Sequence, residues 1–297
     1  MAFYTYDGAG ARTVEAKGDI RDVITTLAVD EHPITNIIGR EGTTDINPKS
    51  PEDALSAIDN ANAYAENDAA PAAADTARTL NENYCQLMMK TAEVSDTQNA
   101  IAQYGMASEL AYQTTKKVRE LLRDGETTLI SDQAAQAPTD ANGRVAKMAG
   151  MTTLISTNTS AAFSQANYDA MIVDIMGYGG SPSVAYMDAT RKVAVGAWTT
   201  PYTRYSENIK TLTQEVLVYQ SDIGPSVRME WHPYMPQTLV GGGAVFMILD
   251  PALWMGKDLL PLGRKELPDN GAGPSRVFKW QWCPVCKAEK GNGMFTA

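Results

Sequence analysis

SDTQNAIAQYGMASELAYQTTKKVRELLRDGETTLIS, Ser95 to Ser131, is the stretch that decides how the chain is read. Ile101, Tyr104, Ser108, Ala111, Thr115, Val118, Leu122, Gly125 and Leu129 recur three and four apart. Residues so spaced share one face of an α-helix, so the run predicts a single long helix with a narrow buried stripe. Ser95, Asp96 and Thr97 are each competent N-caps, because a short oxygen-bearing side chain can accept from the free amides of the first turn. Some thirty residues at about 1.5 Å per residue give a rod of roughly 45–50 Å. Lys116, Lys117, Arg119, Glu120, Arg123 and Asp124 fall on the other faces and read as solvated surface. Ser108, Thr115 and Gly125 make the stripe too small and polar for a coiled-coil seam, so the helix is expected to lie on a sheet as a spine.

Before the spine the composition changes. From Gly42 to Val94 large apolar residues are few, while Ala, Asn and Asp are many. Leu55, Ala57, Asp59, Ala61 and Ala63 share one parity and Ser56, Ile58, Asn60 and Asn62 the other, and neither side is apolar enough to bury alone. AENDAAPAAAD, from Ala65 to Asp75, reads as a turn at the far end, after which Thr79–Val94 alternates back. The stretch is therefore expected to form a long two-stranded excursion. A lone ribbon is marginal in water, so it needs a foreign surface. Ahead of it, Met1–Lys17 reads as an arm without periodicity, Asp19–Leu27 as a short helix, and His32-Pro33 as an extended entry to HPITNIIGR.

Beyond the spine, Ser164 or Asn167 can cap a helix carrying Tyr168, Met171, Ile172, Ile175 and Met176 on one side, ended by Gly177. From Val184 short strands alternating with turns are expected through SVAYMDATRKVAVGAW, TLTQEVLVYQSD, SVRMEWHPYM and AVFMILD. VFKWQWCPVC closes the chain as a strand with Phe278, Trp280 and Trp282 on one parity. The plan is α+β.

Composition narrows the function. The 297 residues are 44% apolar and 20% charged, as in ordinary folded proteins. No run of about 18 apolar residues suggests a membrane span, and no basic-then-apolar leader opens the chain. A net charge of −10 opposes broad nucleic-acid affinity, which rests on Lys and Arg neutralising phosphates. Chemical motifs are thin. Cys283-Pro284-Val285-Cys286 is a CxxC pair, but a structural zinc needs four ligands and only Cys85, His32 and His232 remain. Redox use wants the pair at a strand-to-helix turn, so two cysteines packed in a strand is the preferred reading. Gly241-Gly242-Gly243 lacks the Lys-Ser/Thr of a phosphate loop, His232 has no accompanying nucleophile motif, and Asp68–Asp75 lacks calcium-loop spacing. Lys49 shows no support for an isopeptide crosslink. No catalytic residue, cofactor or metal ligand is assigned.

The order of elements, and above all NYCQLMMKTAEVSDTQNAIAQYGMASELAYQTTKKVRELLRDGETTLIS, resembles the major capsid proteins of tailed bacteriophages, with the Hong Kong 97-type shell fold. The similarity rests on Gln86, Val94-Ser95, Thr97-Gln98, Ala100, Gly105 and Glu126, and extends to YQSDIGPSVRMEWHPYMP and FMILDPALWMGKDLLPLGRKELPDNGAG. The CxxC pair departs from the family's usual last strand. The resemblance implies an N-terminal arm at 1–38, an extended β-hairpin loop at 39–94, a peripheral domain with the spine helix at 95–148 and 251–297, and an axial α/β domain at 149–250. It implies a structural subunit, not an enzyme, that self-assembles into pentamers and hexamers of an icosahedral head around double-stranded DNA. An encapsulin-type nanocompartment shell or a phage tail-tube subunit is the alternative.

The expected partners are the chain itself, a separate scaffolding protein, a portal and a decoration protein, with no sequence-specific DNA binding and no membrane. The expected location is the virion capsid, assembled in host cytoplasm. No cleaved scaffolding segment is expected on this chain, and its acidic charge is expected to favour the inner surface, where it would let packaged DNA slide. Tyr64, Leu80 and Tyr84, the largest apolar or aromatic groups near the loop tip, are the candidate inter-subunit contacts.

Overall fold

The computed structural model describes residues 32–72, 77–101, 108–196, 198, 202–205, 216–220, 225–235, 244–268, 271 and 273–296. In chain order the elements are helix α1 (Pro33–Ile37), strands β1 (Gly39–Gly42), β2 (Lys49–Glu52), β3 (Thr79–Glu82) and β4 (Gln86–Glu93), then helices α2 (Asp96–Ala100), α3 (Glu109–Ile130) and α4 (Met151–Leu154). Next come β5 (Thr159–Ser160), α5 (Gln165–Gly177), β6 (Val184–Met187), α6 (Ala189–Gly196), β7 (Tyr202–Tyr205) and β8 (Val216–Gln220). The last are β9 (Ser226–Trp231), β10 (Ala244–Leu249), β11 (Trp254–Glu266), β12 (Ser275–Cys286) and β13 (Gly293–Thr296). The strands form a four-stranded sheet β1-β11-β12-β4, a seven-stranded sheet β5-β13-β10-β6-β9-β8-β7, and the isolated pair β2-β3.

The spine exists, but it is shorter than its periodicity predicts. Ile101 leaves α2 in an extended conformation, and Ser108, read as a stripe residue, is also extended and caps α3 by accepting from Ala111 N–H. The helix has 22 residues, about 33 Å. A serine followed by Glu109 is an N-terminal signal in itself, and it outweighs the continued three-four spacing. Tyr104 lies outside the described residues. The buried face is Leu110, Leu121, Gly125, Glu126, Leu129 and Ile130, whereas Ala111 and Thr115 are exposed. The stripe is followed from Val118 onward, where Val118 and Leu122 pack, partly buried, against the core.

The helix lies on β12 and β4. A Cβ on Gly125 would stand 2.5 Å from Trp280 Cζ3, so glycine is retained in mid-helix to let the indole reach the helix backbone. Trp280 and Trp282 stack at 4.7 Å with ring planes 9° apart, and the Arg40 guanidinium from β1 sits 4.8 and 4.9 Å from their centres. Arg40 also pairs with Asp258 at 3.0 Å, which fixes β1 beside β11 in parallel register. This core extends to Cys85, Met88, Ile34, Ile38, Met148 and Trp254.

The larger sheet has its own core. Ser164 caps α5, and Tyr168, Met171, Ile172 and Ile175 are buried as their spacing predicts, against Ala185, Met187, Phe246, Ile248 and Phe295. Met176 is left exposed. The strand expected through TRKVAVG is instead α6. Asp188 ends β6 and its carboxylate accepts from Arg191 N–H at 2.8 Å, an N-terminal cap that turns the chain. His32-Pro33 likewise opens a helix, since proline's fixed φ suits the first helical position. The Asp19–Leu27 helix and Gly241-Gly242-Gly243 fall outside the described residues.

The stretch 39–94 is divided by the structure. Its two ends, β1 and β4, are integral strands of the four-stranded sheet, and Cys85, Met88, Ala92 and Val94 are core residues. Only the part between them projects, so it is shorter than a ribbon from Gly42 to Val94.

Candidate assembly surface

β2 and β3 pair antiparallel, Lys49 opposite Glu82 and Glu52 opposite Thr79, and beyond them the described chain from 53 to 72 is almost wholly exposed. The side chains that hold this ribbon are polar: Lys49 Nζ to Glu82 at 3.0 Å, Asn81 Nδ2 to Glu52 Oε2 at 2.7 Å, and Arg78 to Asp53 at 2.9 Å. The hydrogen-bonded Glu82 carboxylate raises Lys49 above its ordinary pKa, and Lys49 in turn lowers Glu82. Pairs as open to water as these fix register but add little stability. Lys49 is thus engaged within its own ribbon.

Among the described residues, nothing covers the apolar groups on the ribbon. Leu55 is 98% exposed and Ile58 91%, while Tyr64 and Leu80 are 57% and 60% exposed. Tyr84 is half-buried at the base, where its N–H donates to Asn83 Oδ1. Of the three predicted contact residues, Tyr64 and Leu80 therefore stand on the free part, and Tyr84 stands at its root. Leu55 and Ile58 were missed because their parity gave no continuous apolar face. Among the described residues no strand pairs with the chain just beyond Glu52, which leaves both exposed.

The root is rigid. Asn83, 1% exposed, donates to Ala149 O at 3.2 Å and Pro284 O at 2.7 Å, and accepts from Ala149 N–H at 2.7 Å. Cys85 N–H donates to Ile46 O at 2.8 Å, closing the two legs of the ribbon. An exposed projection on a hydrogen-bonded base can meet a neighbour without disturbing its own core.

A second anchor lies under the spine. Glu126, fully buried, accepts from Ile34 N–H at 2.8 Å, Thr35 N–H at 2.9 Å and the Thr35 hydroxyl. His232 Nε2 is 2.9 Å from the same carboxylate, and Tyr234 N–H donates to His232 Nδ1 at 3.2 Å, which leaves the ring proton on Nε2. His232 thus orients Glu126. One carboxylate ties together α1, the spine and the end of β9. The sequence showed Glu126 only as a late acidic residue of the helix.

Glu289 plays a similar part near the other core, accepting from Ser156 N–H at 2.7 Å, Thr157 N–H at 3.0 Å and both hydroxyls. Burial works to raise its pKa, but these bonds prevail and leave it lowered. Among the described residues no three His, Cys, Asp or Glu side chains are grouped to hold a metal ion, and no helix is long and apolar enough to cross a membrane.

Residues 4–297 match the model of the SU10 major capsid protein family. The major capsid protein of Escherichia phage Phieco32 is 33% identical over 132 residues, which is 44% of this chain and 36% of that protein. The match thus spans little more than a third of the relative's length. Among solved structures, the capsid of a native GTA particle superposes with a TM-score of 0.68 at 9% identity, covering 99% of both chains. The holo-SrpI encapsulin of Synechococcus elongatus gives 0.63 at 10% identity over 94% of this chain and 91% of that one. At such identities these two likenesses speak for the fold alone.

Proposed function

Because the chain belongs to the SU10 major capsid protein family, we propose that it is the structural subunit of a phage head, self-assembling into pentamers and hexamers of an icosahedral shell. The observation that carries this reading is the projecting β2-β3 ribbon, whose Leu55, Ile58, Tyr64 and Leu80 are exposed among the described residues while its root is locked by Asn83. Each ribbon lies across an adjacent copy, with Tyr64, Leu80 and Tyr84 as contacts. Head-to-tail contacts repeated around a ring close into the required oligomers, and a stable interface of this kind covers on the order of 1,000 Å² or more.

In this role the subunit divides into an arm (1–38), a loop (39–94), a peripheral domain (95–148 and 251–297) and an axial domain (149–250). The loop's free portion is confined to the chain between β1 and β4. The role is structural, without catalysis or a cofactor. Double-stranded DNA is enclosed without sequence-specific contacts, and no membrane is involved. A separate scaffolding protein, a portal and a decoration protein are the further partners, with assembly in host cytoplasm and residence in the virion capsid. An encapsulin shell shares the fold, so fold alone does not separate the two readings; the family match favours the phage head.

Deletion of Glu66–Asp75 tests the ribbon. The shortened subunit is expected to stay soluble and melt cooperatively by circular dichroism, while sedimentation shows no closed shells. Global unfolding of the deletion, or normal shells from it, would overturn the assignment.

A further inference from the structure

The three cysteines are all buried free thiols, and their arrangement differs from the one the CxxC spacing suggests. Cys283 and Cys286 lie three positions apart in the extended β12, about 10 Å along the strand. Cysteines whose Cα atoms are more than about 7 Å apart cannot be bridged without moving the backbone. The CxxC pair is therefore not a dithiol couple. Cys286 is instead turned toward Asn292, whose Nδ2 is 3.9 Å from its sulfur, and burial pushes its thiol pKa up to about 12.

Cys85 is the partner that Cys283 has. β4 pairs antiparallel with β12, Gln86 opposite Trp282, and one step further along the same register sets Cys85 opposite Cys283. The two sulfurs are 3.4 Å apart. Directly opposed residues of an antiparallel pair have Cα atoms about 4.5–5.5 Å apart, within the span a disulfide bridges. The Cys85 amide is turned away to Ile46 O at 2.8 Å, so no N–H from Cys85 ties it to β12. The residues 85 and 283 are 198 apart in sequence, so the pairing is invisible until the sheet forms.

We propose that Cys85 and Cys283 are a thiol pair built to close into a disulfide, stapling the root of the projecting ribbon to the penultimate strand. A small peroxide is the oxidant class. Cys85 gives up its proton, its thiolate attacks one peroxide oxygen, the O–O bond breaks, and Cys85 becomes a sulfenic acid while the released hydroxide takes up that proton as water. The Cys283 sulfur then attacks the Cys85 sulfur, the S–O bond breaks, and the released hydroxide takes the Cys283 proton as water. In sum, two thiols and hydrogen peroxide give one disulfide and two waters.

The two sulfurs share one hydrogen bond, in which either can donate. The hydrogen bond shared with Cys283 holds the Cys85 thiol below its ordinary value. The same bond, with burial, drives Cys283 strongly upward. Closure needs the sulfurs to approach from 3.4 Å to about 2.0 Å, a small movement within one sheet. In the shell-subunit role proposed above, the pair is reduced in a thiol-buffered cytosol and closes once the particle meets an oxidising medium. The chemistry itself can be tested on the free chain, so its failure would leave that role untouched.

The test is peroxide treatment of the purified full-length chain, followed by denaturation, alkylation of remaining thiols with N-ethylmaleimide and peptide mapping. The expected result is one alkylated thiol of the original three, located at Cys286 by fragment ions, with Cys85 linked to the peptide containing Cys283. The product should run as a monomer without reductant, and its melting temperature should rise on the order of 5–10 °C over the reduced chain. Cys286→Ser should keep the link, and Cys283→Ser should lose it and leave a dimedone-reactive sulfenic acid at Cys85. Three alkylated thiols, a Cys283–Cys286 link or a link between chains would each overturn the proposal. If Cys283→Ser fails to fold, the label position in the unmutated chain still decides.

Discussion

Replacing Glu126 by Ala removes the acceptor that serves Ile34 N–H, Thr35 N–H, the Thr35 hydroxyl and His232 Nε2, all in a dry site. If α1 stayed in place, two amides, a hydroxyl and an imidazole N–H would be orphaned, and a buried unpaired donor costs about 1–3 kcal/mol. The total, roughly 4–12 kcal/mol, is comparable with the whole stability of many domains. The alternative is for residues 32–38 to leave. That exposes Ile34 and Ile38, each losing about 1.5–3 kcal/mol of burial. It also frees seven residues, each regaining about 1 kcal/mol of backbone entropy. Release is the cheaper route, so the variant is expected to melt only a few degrees below the parent while its arm detaches. Hydrogen exchange of the Ile34 and Thr35 amides measures this directly: protection should be lost there and kept in β11 and β12. Glu126→Gln, which keeps one acceptor, should lose less. Wild-type protection at both amides in Glu126→Ala would refute the reasoning.

Gly125→Ala should destabilise despite alanine's better helix propensity, since a gain of about 1 kcal/mol is outweighed by overpacking against Trp280 of roughly 1–3 kcal/mol; denaturant titration reads the difference. Asn83→Ala strands two carbonyls and two amides at the ribbon root, and thermal melting should show a loss of about 3–5 kcal/mol. Glu289 has a folded pKa below its ordinary value of 4.5, so its contribution is complete above that pH and is lost as the pH falls through the lower folded value. The melting temperature should therefore decline on the acid side of pH 4.5, and Glu289→Gln should flatten that limb.

What the sequence made legible is what local chemistry dictates. The Ser164 cap and the three-four spacing of Tyr168, Met171, Ile172 and Ile175 place α5 where it is found, because cap and buried face agree. The alternating aromatics of β12 likewise foretell a buried strand. Errors arise where two local signals compete. At Ser108 a helix start lay inside an unbroken period, and at Asp188 a cap lay inside a β-branched run. The site was legible only as a ribbon without a core. Its root is set by long-range partners: Asn83 with Pro284, Cys85 with Cys283, and Glu126 with Thr35 and His232. No spacing rule encodes pairs that meet only when the sheets close.

The central claim is that this chain builds shells through its ribbon, and electron microscopy of the purified full-length chain tests it most directly. Closed shells or curved sheets of pentamers and hexamers are expected, with density for each β2-β3 ribbon lying across the adjacent subunit. A chain that stays monomeric under every assembly condition, with or without a separate scaffolding protein, or shells whose ribbons contact only their own subunit, would contradict it.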